Sequence, residues 1–330
     1  MAVCILLTVA AAAYASTLGS YPIGFFESFQ VMFDHITGNI TDDMKDHIIF
    51  NIRLPRILTA IVAGASLAIA GATMQSIMKN PLADPYTTGI SSGASFGASL
   101  AIILGFSLFS NEDYGIILNA FVFSLIPAFA MIALSSFNRT SPATMILTGI
   151  AVMYLFNALT TLIKLGASDE SLAALFNWTV GDLAKSSWDS VRVILAVTVC
   201  CFVAIMFTHK KMNILTMGDR NAIGMGIDAH KLRIVLLLIL SLMTASVVCY
   251  TGIIGFIGLV APHMVRMFMG SDNKYLIPAS AIFGALLLLV ADVIARTIIA
   301  PVFLPVGVIT AFIGCPMFIY LLVKRRRTVW

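Results

Sequence analysis

Ten apolar stretches, separated by short polar segments, recur along the whole chain. They cover residues 3–18, 57–78, 93–108, 116–134, 145–165, 191–207, 234–254, 256–267, 275–295 and 308–323. A helix needs about 20 mainly apolar residues to cross the hydrocarbon core of a bilayer, and most of these stretches approach that length. The pattern predicts an all-α integral membrane protein with about ten transmembrane helices, folded as a single transmembrane domain over residues 1–330.

The eighth stretch differs from the others because it is short and contains Pro262. It has too few residues to cross about 30 Å of hydrocarbon alone. A proline inside a helix also removes one backbone hydrogen bond. We therefore expect a partial span that is broken at Pro262 and buried among other helices, where irregular backbone is tolerated.

The composition agrees with a membrane protein. The chain is 59% hydrophobic and only 11% charged, whereas an ordinary soluble domain is about 25% charged. The net charge of +4 is small, so it indicates membrane topology rather than binding to nucleic acid. The five cysteines lie in apolar stretches without the spacing of metal ligands. We interpret them as free thiols and predict no metal site.

The first apolar stretch allows two interpretations. Ala13-Tyr14-Ala15 resembles a signal-peptidase site, but no Lys or Arg precedes the stretch, as is usual in a secretory signal. We therefore favour a retained first helix. With the N-terminus inside, most of the 20 Lys and Arg residues fall in predicted cytoplasmic segments. This bias predicts a multi-pass plasma-membrane protein with both termini in the cytoplasm.

The sequence contains no nucleotide-binding loop, no metalloprotease motif and no nucleophile elbow, so we predict that the chain is not an enzyme. An ion-coupled secondary transporter, the alternative function, usually needs ionisable residues at membrane depth. The nearest example is Asp292, which has Arg296 one helical turn later on the same face. We interpret this pair as a helix end rather than a proton relay.

Arg53, Arg56 and Arg296 stand on the predicted outer side, where basic residues are the exception. Long cationic side chains at an interface often extend toward water while their stems cover apolar surface. The other interpretation is an electropositive outer rim that steers and positions an acidic soluble partner. The sequence alone leaves both interpretations open.

Two predicted cytoplasmic segments are unusual. The first follows the second span and contains Asn80, Pro81, Asp84 and Pro85, which would end one helix before Ser91 or Ser92 caps the next. The second lies in the longest cytoplasmic loop, about residues 216–229. There Gly218, Ala222 and Gly226 are four residues apart, so one side of a short helix would be nearly bare and able to pack closely on another surface.

These features, taken in order, resemble the permease subunits of ATP-binding-cassette (ABC) importers for iron siderophores, haem and vitamin B12. The matching motifs are Arg53–Arg56, Gly64–Ala72, Asn80–Pro85, Gly89–Ala94, Met217–Ala222, Gly255–His263, Ala291–Arg296, Leu304–Thr310 and Gly314–Phe318. The resemblance extends over nearly the whole chain. It implies the ten-helix fold of the vitamin B12 permease (BtuC-like).

The resemblance also implies partners and roles. The partners would be a second permease subunit, two ATPase subunits that bind ATP and Mg²⁺, and one periplasmic or lipid-anchored substrate-binding protein; this chain would hold no cofactor. Arg53, Arg56 and Arg296 match arginines that dock the binding protein. The coupling segment that contacts the ATPase would include Met217, Gly218, Asp219, Ala222, Met225, Gly226 and Ile227.

The inner gate of such permeases lies at the turn before the fifth helix, which here makes Thr140, Ser141 and Thr144 the candidates. Gly224 stands in the middle of the predicted coupling helix and should weaken it by about 1 kcal/mol relative to Ala. For the substrate we expect a ferric siderophore first, haem second and a corrinoid third. For the second permease subunit we expect another copy of this chain, that is, a homodimer. The sequence does not distinguish the three chelates, nor does it distinguish a homodimer from a heterodimer.

Overall fold

The computed structural model describes residues 1–19, 21–109, 111–137, 142–299 and 302–324, and these residues form helices and connecting turns with no strand. The helices are α1 (Ala2–Ala15), α2 (Phe25–Thr37), α3 (Asp43–His47), α4 (Leu54–Met78), α5 (Ile90–Leu104), α6 (Glu112–Phe137), α7 (Pro142–Lys164), α8 (Asp169–Thr179), α9 (Trp188–Met206), α10 (His209–Thr216), α11 (Asp219–Gly224), α12 (Ala229–Thr251), α13 (Ile257–Met269), α14 (Asn273–Thr297) and α15 (Val306–Lys324). A π-helical stretch, Ile48–Arg53, leads into α4, and a 3-10 helix, Pro85–Thr88, precedes α5.

Each of the ten predicted apolar stretches forms one of these helices, which confirms the all-α membrane fold. Six helices in the described part of the chain are long and apolar enough to cross a bilayer: α4 with its lead-in, α6, α7, α9, α12 and α14. Four shorter apolar helices, α1, α5, α13 and α15, make up the ten. Large apolar side chains remain exposed on many of them, as expected for helices that face lipid or another subunit.

Helix α4 lies at the centre of the bundle. In its apolar span 83% of the residues are buried, compared with 17% in α7. A Cβ atom added at Gly64 would lie 2.4 Å from the carbonyl oxygen of Gly284 in α14, and one at Gly71 would lie 1.9 Å from that of Gly258 in α13. Small residues therefore let the backbones approach closely.

Pro262 does not break α13, contrary to our expectation. The helix contains Pro262 and has 13 residues in all. Its length of about 20 Å is too short for a full span, as expected. Because proline lacks an N–H group, the carbonyl of Gly258, four residues earlier, has no helical donor. The buried Gln75 side chain of α4 supplies one, with Nε2 3.4 Å from the Gly258 oxygen and 3.3 Å from that of Leu259.

Sequence analysis missed α2 and α10. Along α2, Phe26, Phe29, Phe33 and Ile36 form one exposed apolar stripe. At its start the backbone N–H of Gly24 donates to Glu27 Oε2 at 3.0 Å. Both the helical spacing and the capping pair were signals available in the sequence.

Candidate functional site

One cluster of buried charges lies at the N-terminal end of α4. Arg56 donates from Nε to Asp292 Oδ1 of α14 at 2.9 Å, and its Nη2 lies 2.8 Å from the same oxygen. Arg296 Nη2 lies 2.9 Å from Asp292 Oδ2. A second carboxylate, Asp182, lies 3.9 Å from Arg56. The structure thus brings together Arg56 and Arg296, which are far apart in sequence, through one carboxylate with no exposed surface.

Backbone carbonyls at the end of α1 and in the following segment accept further hydrogen bonds from two of the arginines. Arg53 donates from Nη1 to the carbonyl of Ser16 at 2.7 Å and from Nη2 to that of Tyr21 at 2.5 Å. Arg296 donates to the carbonyls of Ala15 and Leu18 at 3.3 and 3.4 Å. Two of the three arginines therefore hold the first helix and its following loop onto the bundle.

The predicted basic rim is assembled but not exposed. Arg53, Arg56 and Arg296 are only 3%, 7% and 5% exposed. A buried guanidinium needs a partner because desolvation of an unpaired charge is costly, and Asp292 and the carbonyls supply it. An acidic partner could reach these groups only if the covering segment moved. The docking role stays a prediction, while a structural role is visible in the contacts.

The coupling segment lies at the opposite, C-terminal end of α4, and it is not the continuous helix that we expected over 216–229. Gly218 (φ +121°) separates α10 from α11, and Gly226 (φ +76°) precedes α12. Both glycines have backbone angles that favour glycine, so they break the helix rather than line its face. Gly224 is the last residue of α11, not its middle, and therefore costs that helix little.

The segment presents an apolar surface of three side chains. Met217, Ile223 and Met225 are 68%, 65% and 65% exposed. Ala222, which we expected on a bare contact face, is instead buried in the core under α11. Sequence analysis missed Ile223, although it lies inside the predicted segment. We call Met217, Ile223 and Met225 the apolar coupling face.

Asp219 fixes this segment to the bundle. Arg233 of α12 donates from Nη1 to Asp219 Oδ2 at 2.9 Å and from Nη2 to Oδ1 at 2.6 Å. Lys79, at the end of α4, also donates to Oδ1. The hydrogen bonds from Arg233, followed by that from Lys79, lower the pKa of Asp219 to about 2. Asp219 thus stays ionised at physiological pH.

The segment after α4 turns back into the bundle. Asn80 and Pro81 form the expected turn, in which Asn80 Oδ1 accepts from the N–H of Leu82 at 3.0 Å. Asp84 and Pro85 lie deeper in the bundle, close to Gly258 of α13. A Cβ atom added at Gly258 would lie 3.4 Å from Asp84 Oδ2 and 3.5 Å from Pro85 Cδ. Asp84 caps the 3-10 helix by accepting from the N–H of Tyr86 at 2.8 Å. Helix α5 starts at Ile90 after Gly89, and neither predicted serine caps it.

Of the predicted gate residues, Thr140 and Ser141 lie outside the described residues. Thr144 lies exposed in the first turn of α7. Within the described ranges, no three His, Cys, Asp or Glu side chains are grouped to hold a metal ion, and all five cysteines are free thiols.

A cavity of about 660 Å³ opens beside the arginine cluster. Asp182, which faces Arg56, also lines this cavity, so the two features occupy the same end of the bundle. The wall mixes apolar and polar side chains, including Ile102, Ile116, Asn177, Trp178, Lys185 and Thr251. Cavities of this size and mixed lining are typical of small-molecule sites.

Comparison with known proteins gives consistent similarities. Residues 5–324 match the model of the FecCD transport family. A protein of Methanocaldococcus jannaschii, provisionally named an ABC transporter permease, is 42% identical over 96% of this chain and 91% of its own length. The hemin transport system permease of Yersinia pestis is 35% identical over 94% and 92%.

Comparison with solved structures also finds similarity to an ABC transporter. A structure described as an inward-facing conformation of a metal-chelate type ABC transporter has a TM-score of 0.85 and 30% identity, and the match covers 97% of each chain. Other similar permeases are named for the import of cobalamin, molybdate and ferric citrate. Substrate names therefore differ among proteins of comparable similarity.

Proposed function

The chain belongs to the FecCD transport family and is a membrane permease of the ABC importer type, and from this premise we propose that it imports an iron chelate with ATP hydrolysed by a partner ATPase. It would pair with a second permease subunit, two ATPase subunits and one extracytoplasmic binding protein. ATP and Mg²⁺ would bind to the ATPase. The permease itself would contribute conformational change, of the rigid-body kind that packed helices permit.

The apolar coupling face is the observation that carries this proposal. Met217, Ile223 and Met225 are exposed on a segment that Asp219 holds firmly to α4 and α12. The segment lies between the described spans α9 and α12 and belongs to neither. Apolar side chains on a fixed support are typical of protein interfaces, and a soluble ATPase beneath the membrane fits this one.

The other end of the bundle supports import from a binding protein. The cavity of about 660 Å³ lies next to the buried arginines, so a protein that docked over them would release its ligand at the cavity mouth. Orientation with this end outward and both termini cytoplasmic is part of the proposal.

For the substrate, we propose a ferric siderophore, followed by haem and then a corrinoid. A relative is named for hemin, and others for cobalamin and ferric citrate. The cavity wall bears one acidic and one basic side chain, Asp182 and Lys185, among uncharged residues. Such a lining would bind a bulky chelate weakly, which places specificity in the binding protein.

The coupling face can be tested with two matched methionine variants. Met225→Asp introduces a charge into the proposed ATPase interface, and Met44→Asp makes the same change at a similarly exposed methionine of α3 near the opposite end of α4. We expect Met225→Asp to reduce ATPase co-purification and ATP-driven uptake into proteoliposomes by tenfold or more. A reduction of this size corresponds to the loss of a central interface contact that contributes about 2 kcal/mol. Met44→Asp should retain the ATPase. Retention of the ATPase by Met225→Asp would contradict the proposal.

The docking role of the arginines needs a test that separates docking from folding, because the side chains are buried. Arg56→Gln should weaken capture of the binding protein, and the unfolding midpoint of the same preparation should be measured beside it. Loss of capture beyond the fraction of protein unfolded at the assay temperature supports docking. A lower midpoint with proportionate loss of capture supports a purely structural role.

The alternative, ion-coupled transport, finds no support in the described residues. Asp292 is the buried carboxylate at the end of α14, and two arginines hold it.

A further inference from the structure

The carboxylate of Asp219 joins three separate parts of the chain. It begins α11 in the coupling segment, and it accepts hydrogen bonds from Arg233 of α12 and from Lys79 at the end of α4. A bidentate arginine contact fixes both distance and orientation, more strictly than a single hydrogen bond. The coupling segment is therefore held at this point, between the two helix breaks at Gly218 and Gly226.

Arg233 extends the connection into α4. Its guanidinium is 2% exposed, and its Nε donates to the carbonyl of Ile77 in the last turn of α4 at 2.9 Å. The last four carbonyls of a helix lack helical donors, and a cation is favoured there by the helix dipole. A single planar side chain thus binds the end of α4 on one edge and Asp219 on the other.

Lys79 occupies a backbone position where glycine is the usual residue. It caps α4 in the left-handed conformation (φ +50°, ψ +35°). A non-glycine residue there carries a strain of about 1 kcal/mol or more. Lysine adds only its long cationic side chain, and that side chain reaches Asp219.

Helix α4 can carry a displacement from this joint to the arginine cluster. It has 25 residues, about 37 Å at 1.5 Å per residue. Its N-terminal end binds Asp292 through Arg56. Close backbone contacts at Gly64 and Gly71 favour movement of α4 as a unit with its neighbours over bending, because packed interiors deform little.

We infer that Asp219, through Arg233 and Lys79, is a positioning residue that transmits movement of the coupling segment to α4. The inference rests on the proposed ATPase partnership. It assigns Asp219 a role distinct from the apolar coupling face, because the face contacts the partner and the carboxylate joins that face to the central helix.

The test uses the complete importer in proteoliposomes. We would measure bound ATPase per permease, ATP hydrolysis, and the amount of a ferric siderophore, delivered on the binding protein, that is taken up per ATP hydrolysed. Asp219→Asn keeps the size of the side chain and removes its charge. We expect unchanged ATPase binding and at least about fivefold less uptake per ATP, the lower end of coupling between sites.

Two lysine variants provide the matched comparison. Lys79→Gln should lower uptake per ATP in the same way, whereas Lys231→Gln, at an exposed position of α12, should not. Lys79→Arg should keep uptake per ATP near the level of the unmodified importer, because arginine also supplies a long cationic donor.

The outcomes separate the inference from the function on which it rests. Absence of ATP-driven uptake by the unmodified importer would refute the proposed function. Normal uptake per ATP in Asp219→Asn, with the unmodified importer active, would overturn the inference alone. Loss of uptake and ATPase binding in equal proportion would also overturn it, since Asp219 would then only shape the interface.

Discussion

Replacement of Asp292 by Asn should strongly destabilise the bundle. The change keeps the side-chain volume, so its effect is electrostatic. It leaves Arg56 and Arg296, which are 7% and 5% exposed, without the carboxylate that lies 2.8 and 2.9 Å from them. Removal of one partner from a buried ion pair costs about 3–5 kcal/mol.

The local contacts place the expected loss near the lower end, at about 3 kcal/mol. Asp182, 3.9 Å from Arg56, and the carbonyls that accept from Arg296 compensate part of the lost interaction. Even so, the loss is a large fraction of the about 5–15 kcal/mol that separates typical folded and unfolded states.

The buried thiols of Cys201 and Cys249 provide the assay. Once the accessible thiols of the folded protein, those of Cys200 and Cys315 among them, have been blocked with an unlabelled maleimide, reaction of the buried thiols with a fluorescent maleimide during an SDS titration follows unfolding. The control is Asp189→Asn, since Asp189 pairs with Arg192 at 3.3 Å on an exposed surface and should change the free energy of unfolding by no more than about 1 kcal/mol. If Asp292→Asn shifts stability no more than this control, the arginines are not held by Asp292 and the structural account of the cluster is wrong.

Two further predictions concern α4 and its junction with the coupling segment. Gly71→Ala places a methyl group 1.9 Å from the carbonyl oxygen of Gly258 and should lower the free energy of unfolding by about 1–3 kcal/mol in the same titration. Gly224→Ala, where an added Cβ has no atom within 4 Å, should leave it unchanged. Equal effects of the two variants would contradict the close contact at Gly71. The pKa of Asp219 is lowered to about 2, below the ordinary Asp value of about 3.9. The ion pairs of Asp219 should therefore hold α11 in place at pH values above about 3.9. This contribution to stability should be lost as the pH falls through about 2. Protection of the α11 amides from hydrogen exchange should therefore be constant from pH 8 to 5 after correction for the intrinsic rate, and a step near pH 6 would show that another group controls the segment.

The positions of the membrane helices were predictable because their signal is local. Lipid requires each span to satisfy its own backbone hydrogen bonds and to present apolar side chains, so a run of apolar residues is sufficient evidence for a helix. Pro262 shows the limit of this reasoning. The proline did remove a hydrogen bond, but Gln75, 183 residues before Gly258, replaced it, and such a donor is invisible in the local sequence.

The coupling segment shows a second limit. Glycines four residues apart suggested one bare helical face, yet Gly218 and Gly226 adopt positive φ angles that end helices. Residues four apart line one helix face only where the backbone is helical. Glycine can leave a helix face without side chains, and it can also end the helix. Which role a glycine has depends on the backbone conformation at its position, which residue spacing does not reveal.

The sequence by itself determined the membrane class, the positions of the membrane helices and the separation of the arginines from the coupling segment, and the resemblance of its motifs indicated the family. The class and the membrane helices follow from composition and the order of apolar residues along the chain. Only the tertiary structure decided that the three arginines are buried, that Arg56 meets Asp292 across 236 residues, and that Asp219 joins α4 to the coupling segment. The physical reason is that a charge in low dielectric depends on its partners in space, and those partners are fixed by packing rather than by proximity in sequence.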